Sequence, residues 1–142
     1  MIDETGDGEV VLALHRATHV TLHVLAGRLA RLGLNASEIN VLANLADGRN
    51  RSVGEIASDT ATKPTTLTSV LDRLERRGYL TRGLDPADRR SFLVSLTADG
   101  RHAAGTARAA TADLERAALA GVSDASLAGF RAVTRALTEV PR

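Results

Sequence analysis

The chain has 142 residues, of which 44% are hydrophobic and 25% are charged. This composition suits one folded domain with a helical extension and excludes a largely disordered chain. There is no cysteine, and the net charge is only +1. Disulfides, thiolate metal sites and cysteine-based redox sensing are therefore excluded, and the total charge does not by itself indicate a polyanionic partner.

The first predicted element is a long amphipathic helix from Val10 to Leu32, which Gly33 ends. Its apolar stripe recurs at steps of three and four residues and consists of Val11, Leu14, Thr18, Leu22, Leu25, Leu29 and Leu32. A separate set of three histidines, at positions i, i+4 and i+8, shares one face beside this stripe. They are His15, His19 and His23.

Two capping signals predict the next two helices. Asn35 with Glu38, and Ser52 with Glu55, have the spacing of reciprocal capping boxes. The first of these helices has its buried stripe at Ile39, Leu42 and Leu45, and the second is short, ending near Asp59.

A turn over residues 60–63 then leads to a helix that starts at Pro64 and runs to Arg77. Gly78 is placed to end this helix as its C-cap. The predicted buried face consists of Leu67, Val70, Leu71 and Leu74.

After Gly78 the period changes to that of strands. Residues 79–82 and 91–96 are predicted to form a hairpin around a polar turn at residues 85–90. Thr97 then caps an alanine-rich helix from Ala98 to Ala120. Ser123 caps a last helix, whose face is lined by Leu127, Phe130, Val133 and Leu137.

Charge is unevenly distributed along this sequence of elements. Residues 49–90 carry nine basic and six acidic side chains, a charge of +3, whereas the remainder carries −2. A basic module within a slightly acidic frame weakly indicates nucleic-acid binding, and an ordinary solvated surface is the commoner reason for such a pattern.

Three strings at a characteristic spacing make the central region specific. They are LDRLERRGYL at residues 71–80, DPADRR at 85–90 and LVSLTADG at 93–100. From Leu34 to Gly100 the chain resembles the MarR family of winged helix-turn-helix regulators, named for multiple antibiotic resistance. The flanking helices match the family in length and position only.

The resemblance implies a mainly α fold with a small β-hairpin wing, in three parts. Residues 1–33 form an N-terminal dimerisation helix, residues 34–97 the winged helix-turn-helix DNA-binding domain, and residues 98–142 the C-terminal dimerisation helices. It further implies a homodimeric transcription regulator, a repressor, that binds a pseudo-palindromic operator and is released by a small aromatic or phenolic effector. An alanine surface on the helix from Ala98 to Ala120 agrees with close packing against a second copy.

A recognition helix turns the face opposite its buried stripe toward the major groove of double-stranded DNA. We expect Thr65, Thr66 and Ser69 near base edges, and Arg73 and Arg76 on phosphates. Lys63 departs from the family, which often has a capping Asp or Ser there. Two interpretations remain open: Lys63 meets a phosphate, or Thr62 takes the cap and Lys63 faces water.

In the wing, Arg90 matches the minor-groove arginine of the family, and Arg89 is expected to reach a neighbouring phosphate. Asp88 is expected to orient these two arginines within the hairpin.

The three histidines of the first helix are not explained by the resemblance. They are interpreted as a polar flank near the dimer axis, as a pH- or ligand-responsive site, or as a metal site completed by a carboxylate from another helix. We expect no cofactor and no bound metal.

Two other classes of protein are alternatives to a DNA-binding regulator. An enzyme would need a motif such as a serine elbow, HExxH or a phosphate loop, and none is present. A winged helix used only for protein interaction would lack outward Arg and Thr on its recognition helix and Arg in its wing. This chain has both features. The acidic N-terminus resembles no signal peptide and no apolar run approaches a membrane span, so we expect a cytoplasmic protein.

Overall fold

The computed structural model describes residues 9–141. The described residues divide into two compact units, with the boundary between Thr111 and Ala112. In chain order the elements are α1 (Val10–Arg28), α2 (Ala36–Leu45), β1 (Arg51–Ser52), α3 (Val53–Thr60), α4 (Pro64–Arg76), β2 (Leu80–Leu84), β3 (Phe92–Leu96), α5 (Ala98–Leu119) and α6 (Asp124–Thr138).

Helix α1 is shorter than its sequence pattern predicts. The α-helix ends at Arg28, and the predicted last turn is a separate 3₁₀ turn, Ala30–Leu32. Gly33 ends this turn in the left-handed conformation, with φ of 64°, which glycine adopts without steric cost. Of the predicted stripe, only Leu25 and Leu29 are buried. The N-terminal part of the stripe is exposed or half-buried in the single chain.

Helix α2 begins with half of the predicted capping box. The Asn35 side chain accepts a hydrogen bond from the backbone N–H of Glu38 at 2.9 Å. The reciprocal hydrogen bond would run from the backbone N–H of Asn35 to the Glu38 carboxylate. That carboxylate accepts from Arg73 of α4 instead. At α3 both halves form: the Ser52 hydroxyl accepts from the Glu55 N–H, and the Glu55 carboxylate accepts from the Ser52 N–H.

Helix α4 has the predicted buried face. Leu67, Val70, Leu71 and Leu74 are each no more than 1% exposed. The turn before it places Ala61 at φ of 51°, a left-handed conformation that is uncommon for a residue with a Cβ. Gly78 follows α4 with φ of 78°, as expected for a C-cap glycine.

The sheet has three antiparallel strands in the order β1-β3-β2. Strand β2 starts one residue later than predicted and extends to Leu84, where it pairs with Phe92 of β3. The two-residue strand β1 was not predicted; it pairs Arg51 with Val94. Its second residue, Ser52, is also the N-cap of α3, so the sequence pattern at this position indicates the start of a helix and not a strand.

The core of the first unit is built from aliphatic side chains of α2, α3, α4 and the sheet, together with Ala103, Ala104 and Ala107 of α5. The start of α5 is fixed by Thr97, as predicted: its hydroxyl accepts from the Gly100 N–H at 3.0 Å and donates to the carbonyl of Gly78 at 2.5 Å. Gly100 itself is buried.

The second unit contains the C-terminal end of α5 and helix α6. Ser123 caps α6 as predicted, accepting from the backbone N–H of Ser126 at 3.1 Å. The predicted apolar face of α6 is not buried within the chain. Phe130 is 57% and Val133 is 43% exposed, while Leu127 and Leu137 are half-buried.

Candidate nucleic-acid interface

The outward face of α4 is open to solvent. Thr65, Thr66, Ser69 and Arg76 are all exposed, because the opposite face of the helix fills the core. Arg76 donates only to the backbone carbonyl of Asp72, at 3.3 Å. Three hydroxyl groups and one guanidinium are therefore available on one side of the helix.

The N-terminus of α4 has no side-chain cap. Lys63 occupies the N-cap position with an extended backbone and makes no capping hydrogen bond. The suggestion that Thr62 takes the cap is wrong, because its hydroxyl donates to the carbonyl of Thr60 at 3.3 Å. Pro64, the first residue of the helix, has no N–H to satisfy. This helix end therefore presents the partial positive charge of uncapped N–H groups, beside the exposed Lys63.

Arg73 has a partner within the protein. Its Nε lies 3.0 Å from Oε1 of Glu38, whose side chain is only 7% exposed, while that of Arg73 is 41% exposed. This position is at the edge of the outward face and is turned toward α2. Arg73 thereby links α4 to α2, an arrangement that differs from the free phosphate contact expected from the sequence.

Arg82 of β2 neutralises the carboxylates of α4. Its guanidinium contacts Asp72 at 2.5 Å and Glu75 at 2.7 Å. The hydrogen bond to Glu75, with that to Asp72, raises the pKa of Arg82 above its ordinary value, against the effect of partial burial. Sequence reasoning missed this residue, although acidic side chains three apart on one helix face indicate a nearby cation.

The loop of the wing is held by nested hydrogen bonds. The backbone N–H of Asp85 donates to the carbonyl of Ser91 at 2.9 Å, which closes the loop. Asp88 accepts from the backbone N–H of Arg90 at 3.0 Å and from the Ser91 hydroxyl at 3.2 Å. Asp88 therefore orders the turn through backbone and hydroxyl groups, whereas the sequence predicted that it orients the arginine side chains.

The arginines of this loop are exposed. Neither Arg89 nor Arg90 forms an ion pair within residues 9–141. The same is true of Lys63 and Arg76. Four of the five basic side chains that the sequence assigns to DNA therefore have no carboxylate partner in the described part of the chain.

The remaining basic residues of the central region are bound within the fold. Arg51 is buried and contacts Asp47 and Asp59. Arg77 donates to the carbonyls of Gly33 at 2.7 Å and Leu32 at 2.5 Å. The excess charge of this region thus resides on a few side chains of α4 and the wing.

The histidines of α1 are exposed at all three positions, His15, His19 and His23. Within residues 9–141 no group of three or more His, Cys, Asp or Glu side chains is arranged to hold a metal ion. No helix in this part of the chain is long and apolar enough to cross a membrane.

Comparison with known sequences identifies this arrangement. The sequence profile of the MarR family matches residues 32–91, from the end of the 3₁₀ turn to the end of the wing loop. The transcriptional repressor YetL of Bacillus subtilis (strain 168) is 29% identical over 104 residues, covering 69% of this chain and 60% of YetL. Over residues 32–91, which include α2, α3, α4 and the wing loop, the chain is similar to the MarR family. Its matched segments span 46% to 60% of the length of the curated relatives, which are named as HTH-type transcriptional regulators or repressors.

Solved structures of transcription regulators have a similar fold. CouR from Rhodococcus jostii RHA1, solved with p-coumaroyl-CoA, has a TM-score of 0.83 at 23% identity, covering 99% of each chain. BpsR of Bordetella bronchiseptica, whose DNA binding is regulated by 6-hydroxynicotinic acid, has a TM-score of 0.76 at 27% identity. That match covers 92% of this chain and 99% of BpsR. The predicted mainly α, winged helix-turn-helix fold is thereby confirmed.

Proposed function

We propose that this protein is a homodimeric, DNA-binding transcription repressor. The observation that carries the proposal is the open face of α4 together with the wing loop. Both present exposed basic side chains without carboxylate partners, whereas the other arginines of the central region contact carboxylates or backbone carbonyls of the protein. Such an arrangement suits a polyanion, because no carboxylate in the described part of the chain competes with the phosphates for these basic side chains.

The recognition helix α4 enters the major groove of each half-site. Thr65, Thr66 and Ser69 contact base edges through their hydroxyl and methyl groups. Lys63 and Arg76 bind phosphates, and a phosphate also accepts from the uncapped N–H groups at the start of α4. Arg73, bound to Glu38, contributes by fixing the orientation of the helix and by its residual charge.

The wing supplies the minor-groove contacts. Arg90 enters the groove, where a narrow width enhances the negative potential, and Arg89 reaches a neighbouring phosphate. The hydrogen bonds from Arg90 and Ser91 to Asp88 reduce the entropy that the loop would lose on binding.

A second copy of the chain covers the exposed apolar faces. On α1, Val10, Leu12 and Val20 are more than half exposed, as is Phe130 on α6. A monomer gains nothing by exposing several large apolar side chains on two of its helices. A two-fold dimer also presents two recognition helices to a pseudo-palindromic operator. YetL carries the name of a repressor, and we extend that sense of regulation to this chain.

A small aromatic or phenolic effector releases the protein from DNA. The support is the ligand chemistry of two structures with a similar fold: p-coumaroyl-CoA in CouR and 6-hydroxynicotinic acid in the regulation of BpsR. Both compounds carry an aromatic ring with a hydroxyl group.

The test is selection of duplexes from a random library by the purified protein, followed by gel-shift titration at several salt concentrations. We expect a palindromic consensus, one protein dimer per duplex, and affinity that falls steeply with salt. Selection of no duplex above a scrambled control would refute the proposal. A reporter gene under the selected operator would then distinguish repression from activation.

A further inference from the structure

The wing carries an exposed apolar pair that the contacts above do not use. Leu84, the last residue of β2, lies directly opposite Phe92, the first residue of β3. Leu84 is 61% and Phe92 is 51% exposed. The chain has only two phenylalanines and no tryptophan. It is unfavourable to leave one of these few large aromatic side chains exposed to water next to a polar loop.

The pair lies on the side of the wing that faces α4. Residues that are directly opposite share a face of a sheet, and residues two apart along a strand return to that face. Leu84 and Phe92 therefore share a face with Arg82. Because Arg82 on this face reaches Asp72 and Glu75 of α4, the pair extends the α4 side of the sheet toward the arginine loop.

We propose, on the basis of the function proposed above, that the Leu84–Phe92 pair is a further DNA-contacting surface, which packs against deoxyribose rings of the operator backbone. A duplex that contacts both α4 and the wing loop passes along this side of the sheet. Leu84 and Phe92 flank the wing loop directly, and the face that they share leads through Arg82 to α4.

Because Leu84 and Phe92 are apolar, we expect them to contact the deoxyribose rings and not the phosphates. The backbone of DNA alternates anionic phosphates with sugars whose C–H edges are apolar. Phe92 follows Arg90 by two residues, at most ~7 Å, which corresponds to about two nucleotides at a rise of ~3.4 Å per strand. Leu and Phe cannot pair with a phosphate, but each gains free energy when apolar surface leaves water.

Two variants and one control test this surface. Phe92→Thr and Leu84→Thr remove the apolar groups and keep a residue type that favours strands. Thr81→Ala is the control, because Thr81 is exposed on the opposite face of β2, paired with Ser95. The probe is the duplex of highest affinity that the wild-type protein selects from a random library of ~30 base pairs, long enough for two half-sites.

We expect Phe92→Thr to weaken binding about tenfold, equivalent to ~60 Å² of apolar surface returned to water. The dependence of affinity on salt should not change, because no counterion is released by a sugar contact. Thr81→Ala should bind as the wild type does. Arg90→Ala, by comparison, should flatten the salt dependence.

Hydroxyl-radical footprinting, which reports on sugars, and phosphate-ethylation interference then separate direct contact from support of the hairpin. Phe92→Thr should lose sugar protection beside the wing while ethylation at the wing phosphates still interferes. Sugar protection equal to that of the wild type, or joint loss of both signals, would overturn the inference and leave the proposed function standing. Altered oligomeric state in the absence of DNA would overturn it in favour of self-association. Selection of no duplex by the wild type would instead refute the proposed function itself.

Discussion

Gly100 lies in α5 where the helix passes the backbone of Tyr79. A Cβ at this position would overlap the carbonyl oxygen of Tyr79 and lie 2.7 Å from its carbonyl carbon. That carbonyl accepts from the N–H of Thr97 at 3.0 Å, so it cannot move without loss of a hydrogen bond. The requirement for glycine comes from the closeness of two backbones.

We therefore expect Gly100→Ala to lower the free energy of unfolding by about 3 kcal/mol, as overpacked sites do. Gly105→Ala is the matched control: it lies in the same helix, is exposed, and has nothing within 4 Å of an added Cβ. That change should raise stability by about 0.5–1 kcal/mol, because alanine is the better helix former. Urea unfolding of both variants measures the difference; equal effects would contradict the close approach.

Asp47 stabilises the fold in a pH-dependent way. The hydrogen bond from the backbone N–H of Arg49, at 3.0 Å, is the largest cause that lowers the pKa of Asp47 from its ordinary 3.8, assisted by the charges of Arg49 and Arg51. Because the folded pKa is lowered, this stabilisation is complete above the unfolded value. It is lost as the pH falls through the folded pKa.

Asp47→Asn should therefore be less stable than the wild type near pH ~7 and approach it below pH ~4. Unfolding by urea across this range is the measurement. A stability difference that stays constant on acidification would show that the carboxylate charge is not responsible.

The pair of Glu38 and Arg73 shows where sequence reasoning ends at this scale. Both side chains have locally reasonable roles, Glu38 in a capping box and Arg73 on a phosphate. The structure joins them across 35 positions, because the edge of α4 faces the start of α2. A helical pattern gives the angle of a side chain around its own axis, but a partner on another helix depends on how the two helices pack.

At the scale of elements, we expect the uncapped start of α4 to favour DNA binding at a cost in stability. Lys63→Ser should supply the missing cap and raise the free energy of unfolding by about 1 kcal/mol. The same change should weaken operator binding and reduce the salt slope by about one, because one phosphate contact is lost. Lys63→Ala, which removes the charge without adding a cap, should weaken binding equally and stabilise little. If Lys63→Ser binds as tightly as the wild type, Lys63 only faces water.

The elements themselves were predictable in proportion to their length and periodicity. The 13-residue α4 repeats its apolar positions over several turns, and its four predicted core residues are buried. The two-residue β1 has no periodicity to detect. Strand β2 extends to Leu84 because pairing with Phe92 continues past the last buried residue, and pairing partners are not visible in a single strand.

At the scale of the whole molecule, the sequence predicts that α1 and α6 have apolar faces but not what covers them. Leu25 of α1 is buried within the chain, whereas Val11 of the same stripe is 42% exposed. A hydrophobic stripe has the same appearance whether its partner is in the same chain or in another. We therefore expect a second copy of the chain to cover the exposed part of each stripe.

This leads to a prediction about assembly. Phe130→Ser combined with Val133→Ser removes the most exposed apolar side chains from the described face of α6. We expect sedimentation of the variant as a monomer at concentrations where the wild type is a dimer. Its affinity for the full operator should fall about a hundredfold or more, because the second half-site is then bound as a separate event.

The matched control is Arg135→Ser, on an exposed position about 140° around α6 from Phe130. It should remain dimeric and bind nearly as the wild type does. Affinity for a single half-site decides the interpretation: it should be equal in the double variant and the wild type, because the winged helix of each protomer is unchanged. If the double variant stays dimeric, α6 does not form the interface. If it becomes monomeric but keeps full operator affinity, the two winged helices do not bind as a pair, and the pseudo-palindromic operator must be abandoned.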